Sequence, residues 1–323
     1  MTDTDSATPP PEQPPGWERG VMERLAFAAI EEQRRARRWG IFFKLFFAAY
    51  LLLALLLLQS DRIGGKALAG RYTALVDMEG EIAADALASA DNVISGLRAA
   101  FADKATVGVV LRVNSPGGSP VQAGYINDEI TRLREKHPDT PLYAVIGDVC
   151  ASGCYYAAVA ADKIYADKAS IVGSIGVLMN GFGFVDSLKK IGVERRLLTS
   201  GEHKGFLDPF SPMKPEERRH AQQLLNNIHR QFIERVRDGR GGTLKETKEL
   251  YSGLYWVGDE AVKMGLVDEI GSASYVAREV IGAEEIVDFT YRENVFDRFT
   301  RRFGTAVGET LGSRLLGHQP GLK

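Results

Sequence analysis

The stretch CASGCYY, residues 150–156, sets one serine between small residues and two cysteines. Ser152 follows a buried-strand pattern, PLYAVIGDV at 141–149, and opens a small-residue helical stretch, SGCYYAAVAA. A hydroxyl at the carboxyl edge of a strand, above a helix N-terminus, is well placed to attack a carbonyl. The same position suits a helix N-cap, and the local sequence alone favours the cap. No histidine stands within ten residues to take a proton from it, and the nearest acid, Asp148, lies inside the strand pattern.

A second loop bears on that choice. The apolar run VGVVLRVN at 107–114 closes on the turn signal SPGGS. If both loops leave adjacent strands, the amide of Gly117 or Gly118 and that of Gly153 surround one developing oxyanion. Gly-Gly is equally compatible with a plain turn.

The elements around these loops alternate. TALVDMEGEI reads as a strand and turn, DNVISGLRAAFADK as an amphipathic helix, and AGYINDEITRLREKH as another. DKIYAD, ASIVGSIGVLM and VERRLLTS read as strands, with VDSLKKIG as a helix before the last of these. Residues 214–238 and 243–265 read as helical, and EEIVDFTYREN as a final strand. The rhythm predicts an α/β fold with crossover connections. No internal repeat interrupts it.

Ahead of this domain the composition changes sharply. TPPPEQPP at 8–15 predicts a disordered segment. Residues 39–58 contain one charge, Lys44, in twenty residues. As a helix they would rise about 30 Å, the thickness of a bilayer core. Lys44 lies near enough to the end to snorkel. The run lacks the polar face of a core helix and is too long for a cleaved signal, although Ala67-Leu68-Ala69 is a weak cleavage candidate. Arg34, Arg35, Arg37 and Arg38 precede it, whereas residues 59–71 hold three positive charges and one negative. The positive-inside bias predicts a cytoplasmic N-terminus and an exported domain, periplasmic in a bacterium with two membranes. The expected organisation is a tail at 1–38, an anchor at 39–58, a linker at 59–71, a catalytic domain at 72–295 and a tail at 296–323.

Net charge is −2, with no basic excess for nucleic acid. Neither HExxH nor GxxxxGK[ST] occurs, so no metal or nucleotide cofactor is expected. With two cysteines the domain cannot depend on a disulfide framework, and both are expected as free, buried fillers.

RVNSPGG, DVCASGCYYAA, VGSIGV and SGEHKGFLDPFSPM, taken in order, resemble the motifs of the signal peptide peptidases A. These are membrane-anchored serine proteases of peptidase family S49. The resemblance covers about residues 72–295 and implies a spiral of ββα units like that of the Clp protease and crotonase. It implies a Ser/Lys dyad, with Ser152 as nucleophile, Lys204 as general base and Ser174 hydrogen-bonded to the lysine. A lysine can accept a proton only when neutral, and free lysine titrates near 10.4, so the dyad requires desolvation. Phe206 and Phe210 are the expected apolar neighbours.

The resemblance further implies remnant signal peptides and other apolar peptides as substrates. It also implies a homo-oligomeric ring, because the family's tandem form draws serine and lysine from different halves. His203, oriented by Asp208 or Glu202, is the competing base. A crotonase-like acyl-CoA enzyme and a non-catalytic scaffold for hydrophobic peptides are the rival functions.

Overall fold

The computed structural model describes residues 17–63 and 70–292; the proline-rich start, part of the 59–71 linker and the C-terminal tail lie outside them. The chain divides into two units at the 69/70 boundary. In the first, Trp17–Ile63 form one helix, α1. From Trp39 to Leu53 its large apolar side chains are exposed all round. The side chains of 55–58, the end of the apolar run, lie outside those described. Among the described residues, no helix is long and apolar enough to cross a membrane.

The second unit is a mixed α/β domain built on one eight-stranded sheet. Tyr72–Glu79 form β1, Ala90–Ala102 α2, Thr106–Ser115 β2, Pro120–Lys136 α3 and Leu142–Ala151 β3. After Ser152 come Gly153–Ala158 (α4), Lys163–Ala166 (β4), Ile171–Gly173 (β5), Val185–Lys190 (α5) and Pro215–Arg240 (α6). Tyr255–Val257 (β6), Gly258–Met264 (α7), Glu269–Ile270 (β7), Ala273–Tyr275 (α8) and Ile286–Asp288 (β8) complete the order.

The central strands run β3-β2-β1-β8, all parallel, with Leu75 beside Val110 and Val110 beside Tyr143. Strands covered on both faces read as continuous apolar runs, which is why 107–114 and 141–149 were legible. Helices α2 and α3 close one face. Each begins at a serine whose hydroxyl accepts from the helix, Ser89 from the Asn92 N–H and Ser119 from the Gln122 N–H. Val93, Leu97, Ala100 and Phe101 of α2, with Ile126, Ile130 and Leu133 of α3, form helical stripes buried against the sheet.

The decisive feature is a fork in β3. Its first half, Tyr143–Ile146, pairs with β4, and its last residues, Val149–Ala151, pair with β5. The sheet therefore divides just before Ser152.

Three expectations are corrected. VERRLLTS forms no strand; every one of its residues is exposed and no neighbouring strand offers hydrogen bonds. The strand in ASIVGSIGVLM stops at Gly173, because Gly173 and Ser174 both turn to positive φ, 113° and 52°. Residues 243–265 are not continuously helical: Tyr255–Val257 pair antiparallel with β5, and only 258–264 form an α-helix.

Candidate active site

Ser152 sits at the turn between β3 and α4 with φ 53° and ψ −122°, a conformation that costs a non-glycine residue about 1–3 kcal/mol. Several bonds impose it. Its N–H donates to the Gly173 carbonyl (2.9 Å), and its own carbonyl accepts from the Tyr156 N–H (3.0 Å). Tyr155, fully buried beneath the turn, donates its hydroxyl to the Leu266 carbonyl at 2.8 Å. Burial pushes that phenol far up, so it remains a donor at any ordinary pH. In this geometry the Ser152 hydroxyl makes no capping bond to α4. The cap reading that the local sequence favoured is overturned, and among the described residues the hydroxyl has no partner.

The fork in the sheet brings Ser174 to the same place. Ala151 and Gly173 are register partners, so Ser152 and Ser174 leave adjacent strand ends side by side. Both line one open cavity of about 740 Å³, together with Gly118, Gly153, Pro116, Tyr156, Phe232 and His229.

The glycine loop packs directly against the serine turn. A Cβ added at Gly117 would lie 2.6 Å from the Ala151 carbonyl oxygen and 2.9 Å from Ser152 Cβ. One added at Gly153 would lie 3.2 Å from the Gly118 nitrogen. The Gly117 N–H donates to Ser115 Oγ at 3.1 Å and is therefore occupied. The amides of Gly118 and Gly153 donate to no protein acceptor among the described residues. This narrows the three glycines to two free donors beside one free hydroxyl, an arrangement able to hold a carbonyl oxygen that becomes negative as the serine attacks.

Lys204 is not among the residues lining that cavity. It lies exposed in the turns of residues 201–207, its N–H donating to the Gly201 carbonyl at 3.1 Å. The apolar neighbours expected to desolvate it are engaged elsewhere: Phe206 packs edge-on against His220, and Phe210 stacks on Phe184. His203 lines a separate cavity of about 380 Å³ with Phe206, Glu216, Glu217 and His220. Asp208 is held by the Ser211 hydroxyl (2.7 Å) and Arg195 (3.4 Å). The Ser211 hydrogen bond and then Arg195 hold its carboxyl below the usual range, so it is committed there rather than to an imidazole at 203.

Cys150 and Cys154 are disulfide-bonded, with Cα atoms 5.2 Å apart. The expectation of free thiols is thereby corrected. The positive φ of Ser152 folds the intervening turn back on itself and brings both sulfurs into one buried site. Sequence reading also missed His229, whose Nε2 lies 3.1 Å from the Ile175 carbonyl and ties α6 to the residue after Ser174. Its only signal was its place beside Ile228 and Phe232, residues of α6 that line the same cavity.

Comparison with known proteins places this site in context. The sequence profile of peptidase family S49 matches residues 134–286. A protein of Methanocaldococcus jannaschii, whose name places it provisionally among the proteases, is 32% identical over 222 residues, covering 67% of this chain and 70% of that protein. Protease 4 of Haemophilus influenzae is 33% identical over 219 residues, covering 67% and 35%. A Brucella abortus protein named as the Na(+)/H(+) antiporter NhaA is 45% identical over 186 residues, covering 58% of this chain. The chain spans only about 25% of that relative's length, and the antiporter name belongs to a protein most of which lies outside the match.

Proposed function

The chain belongs to peptidase family S49, and on that premise we propose that it is a membrane-anchored serine endopeptidase that hydrolyses remnant signal peptides and other apolar peptides. The observation that carries this reading is Ser152 itself: a strained turn, a hydroxyl released from capping, and the free amides of Gly118 and Gly153 beside it.

In the proposed reaction Ser152 Oγ attacks the scissile carbonyl while neutral Lys204 removes its proton. The Gly118 and Gly153 N–H groups donate to the tetrahedral oxyanion. The lysine ammonium then gives its proton to the departing amine, leaving an acyl-serine. Water attacks that ester, with the lysine again as base, and returns the serine. Ser174 orients the lysine from the neighbouring strand end. The apolar walls of the cavity, Val177, Leu178, Ile228 and Phe232 among them, suit the side chains of a hydrophobic peptide.

Because Lys204 does not line the cavity of its own chain, the proposed dyad joins Ser152 of one subunit to Lys204 of the next. The segment carrying the lysine exposes Leu178, Phe182, Ile191 and Leu198, the last at 96% of its surface. A neighbour covering them would bury apolar area and desolvate the lysine in one step. Such head-to-tail contacts close into a ring when the rotation allows. The fold is then the family's spiral of ββα units.

Anchoring rests on residues 39–58, and the arginines before them favour a cytoplasmic N-terminus. The disulfide agrees with an exported, periplasmic domain, since such bonds persist in oxidising compartments. The test is labelling with a fluorophosphonate, which phosphonylates activated serines. Wild type should be modified at Ser152 and Ser152→Ala should not; an unmodified Ser152 in an assembled, folded sample would remove the proposal.

A further inference from the structure

We infer that the Cys150–Cys154 disulfide is a positioning device for the nucleophile, holding Ser152 in its attacking conformation and out of the helix cap. This rests on the reading of Ser152 as the nucleophile. Both cysteines are fully buried, and their bond closes a ring that contains Ala151, Ser152 and Gly153. Cys150 is fixed in the sheet, paired with Ser115 on one side and Val172 on the other. Cys154 belongs to the first turn of α4. The bond therefore ties the end of the strand to the start of the helix across the serine.

Two local states compete at this turn. With φ near 53° the Ser152 hydroxyl is free, and the Gly153 amide stands beside that of Gly118. With φ in the extended region the same serine becomes an ordinary N-cap, as Ser89 and Ser119 are at α2 and α3. The capped state relieves strain and satisfies an orphan helix N–H, so an unconstrained turn drifts toward it. It also spends the hydroxyl and rotates Gly153 away. The hydrogen bonds of Ser152 N–H to Gly173 and of Tyr156 N–H to the Ser152 carbonyl oppose the drift. The disulfide adds a constraint that does not open with local breathing. Here it selects nucleophile over cap.

The consequences are measurable. Cys150→Ala, Cys154→Ala and the double variant should each slow fluorophosphonate labelling roughly ten- to a hundredfold, the scale of an ångström-level misplacement. The loss should fall in kcat with KM little changed. The three losses should be equal, because either substitution breaks the bond and the second removes only a thiol. Additive losses would mean that the cysteines merely fill space, and wild-type labelling in the double variant would show that the bond positions nothing.

A thiol count on unreduced, denatured wild type should find none, and two after reduction; two before reduction would overturn the inference outright. Should the variants fail to fold, wild type refolded with and without dithiothreitol decides the matter. The dithiol gives two electrons and two protons to the bond, leaving two cysteine thiols and the cyclic disulfide of the reagent. Labelling should fall in the reduced sample and return on reoxidation, and equal rates in both would overturn the inference. Labelling of wild type at Ser152 is read first, so a failure of the brace is distinguishable from a failure of the nucleophile assignment.

Discussion

Replacing Gly118 by alanine tests the oxyanion loop without touching the nucleophile. Gly118 has φ 146°, where a side chain is strained at a cost of about 1–3 kcal/mol. The added Cβ would lie 2.9 Å from both the carbonyl carbon and the nitrogen of Ile82, and closer still to its carbonyl oxygen. That oxygen accepts the Ser119 N–H at 2.7 Å, so it cannot retreat without loosening the start of α3, a further cost of about 1 kcal/mol. The expected destabilisation is about 2–4 kcal/mol, read as a lower urea midpoint at unchanged slope. The shifted loop also carries the Gly118 amide away from the site. Loss of one oxyanion donor lowers kcat by about a hundred- to a thousandfold. The assay is kcat on a fluorogenic apolar peptide at a temperature where the variant is fully folded. Ser119→Ala is the control, since it removes the cap bond to Gln122 but leaves the glycine. It should cost about 0.5–2 kcal/mol of stability and little activity. A Gly118→Ala enzyme with wild-type kcat would refute the assignment of that amide.

Lys204→Arg should be as inactive as Ser152→Ala, because arginine stays protonated and cannot accept the serine proton, while His203→Ala keeps most activity. The reverse pattern in peptide hydrolysis would move the base to the histidine. Arg240 is buried and bonds Asp268 through two nitrogens, at 2.9 and 3.0 Å, and the Gly265 carbonyl at 2.9 Å. Arg240→Met leaves that carboxylate without its partner and should cost about 3–5 kcal/mol in a denaturant titration. Hydrogen bonds first from Arg132 and then from Arg98 hold the Glu129 carboxyl down to about 2, against an ordinary 4.5. Its stabilisation is complete above pH 4.5 and disappears as pH falls toward 2; Glu129→Gln should flatten that part of the acid-unfolding curve.

Much of the site could be read in advance because its parts are local. A serine between a buried apolar run and a small-residue helix specifies a strand–turn–helix, and SPGGS specifies a tight loop after the preceding strand. What places these loops together is the parallel pairing of β2 with β3, which crossover rhythm anticipates. The choice between cap and nucleophile was not legible, because it depends on a φ imposed by Gly173 across the sheet. The same holds for the disulfide, which exists only once that turn is folded. Strand β6 escaped detection because YWV is three residues long and becomes a strand only against β5. VERRLLTS failed in the opposite sense: its pattern is strand-like, but without a partner edge the backbone has nothing to bond.

We propose that the serine and the lysine of the dyad come from different subunits. Ser152→Ala and Lys204→Ala chains, each inactive alone, are mixed under conditions of subunit exchange, and peptide hydrolysis is measured in verified mixed oligomers. A shared site predicts that part of the wild-type activity returns, because some interfaces then carry both an intact serine and an intact lysine. No recovery in such mixtures would contradict it.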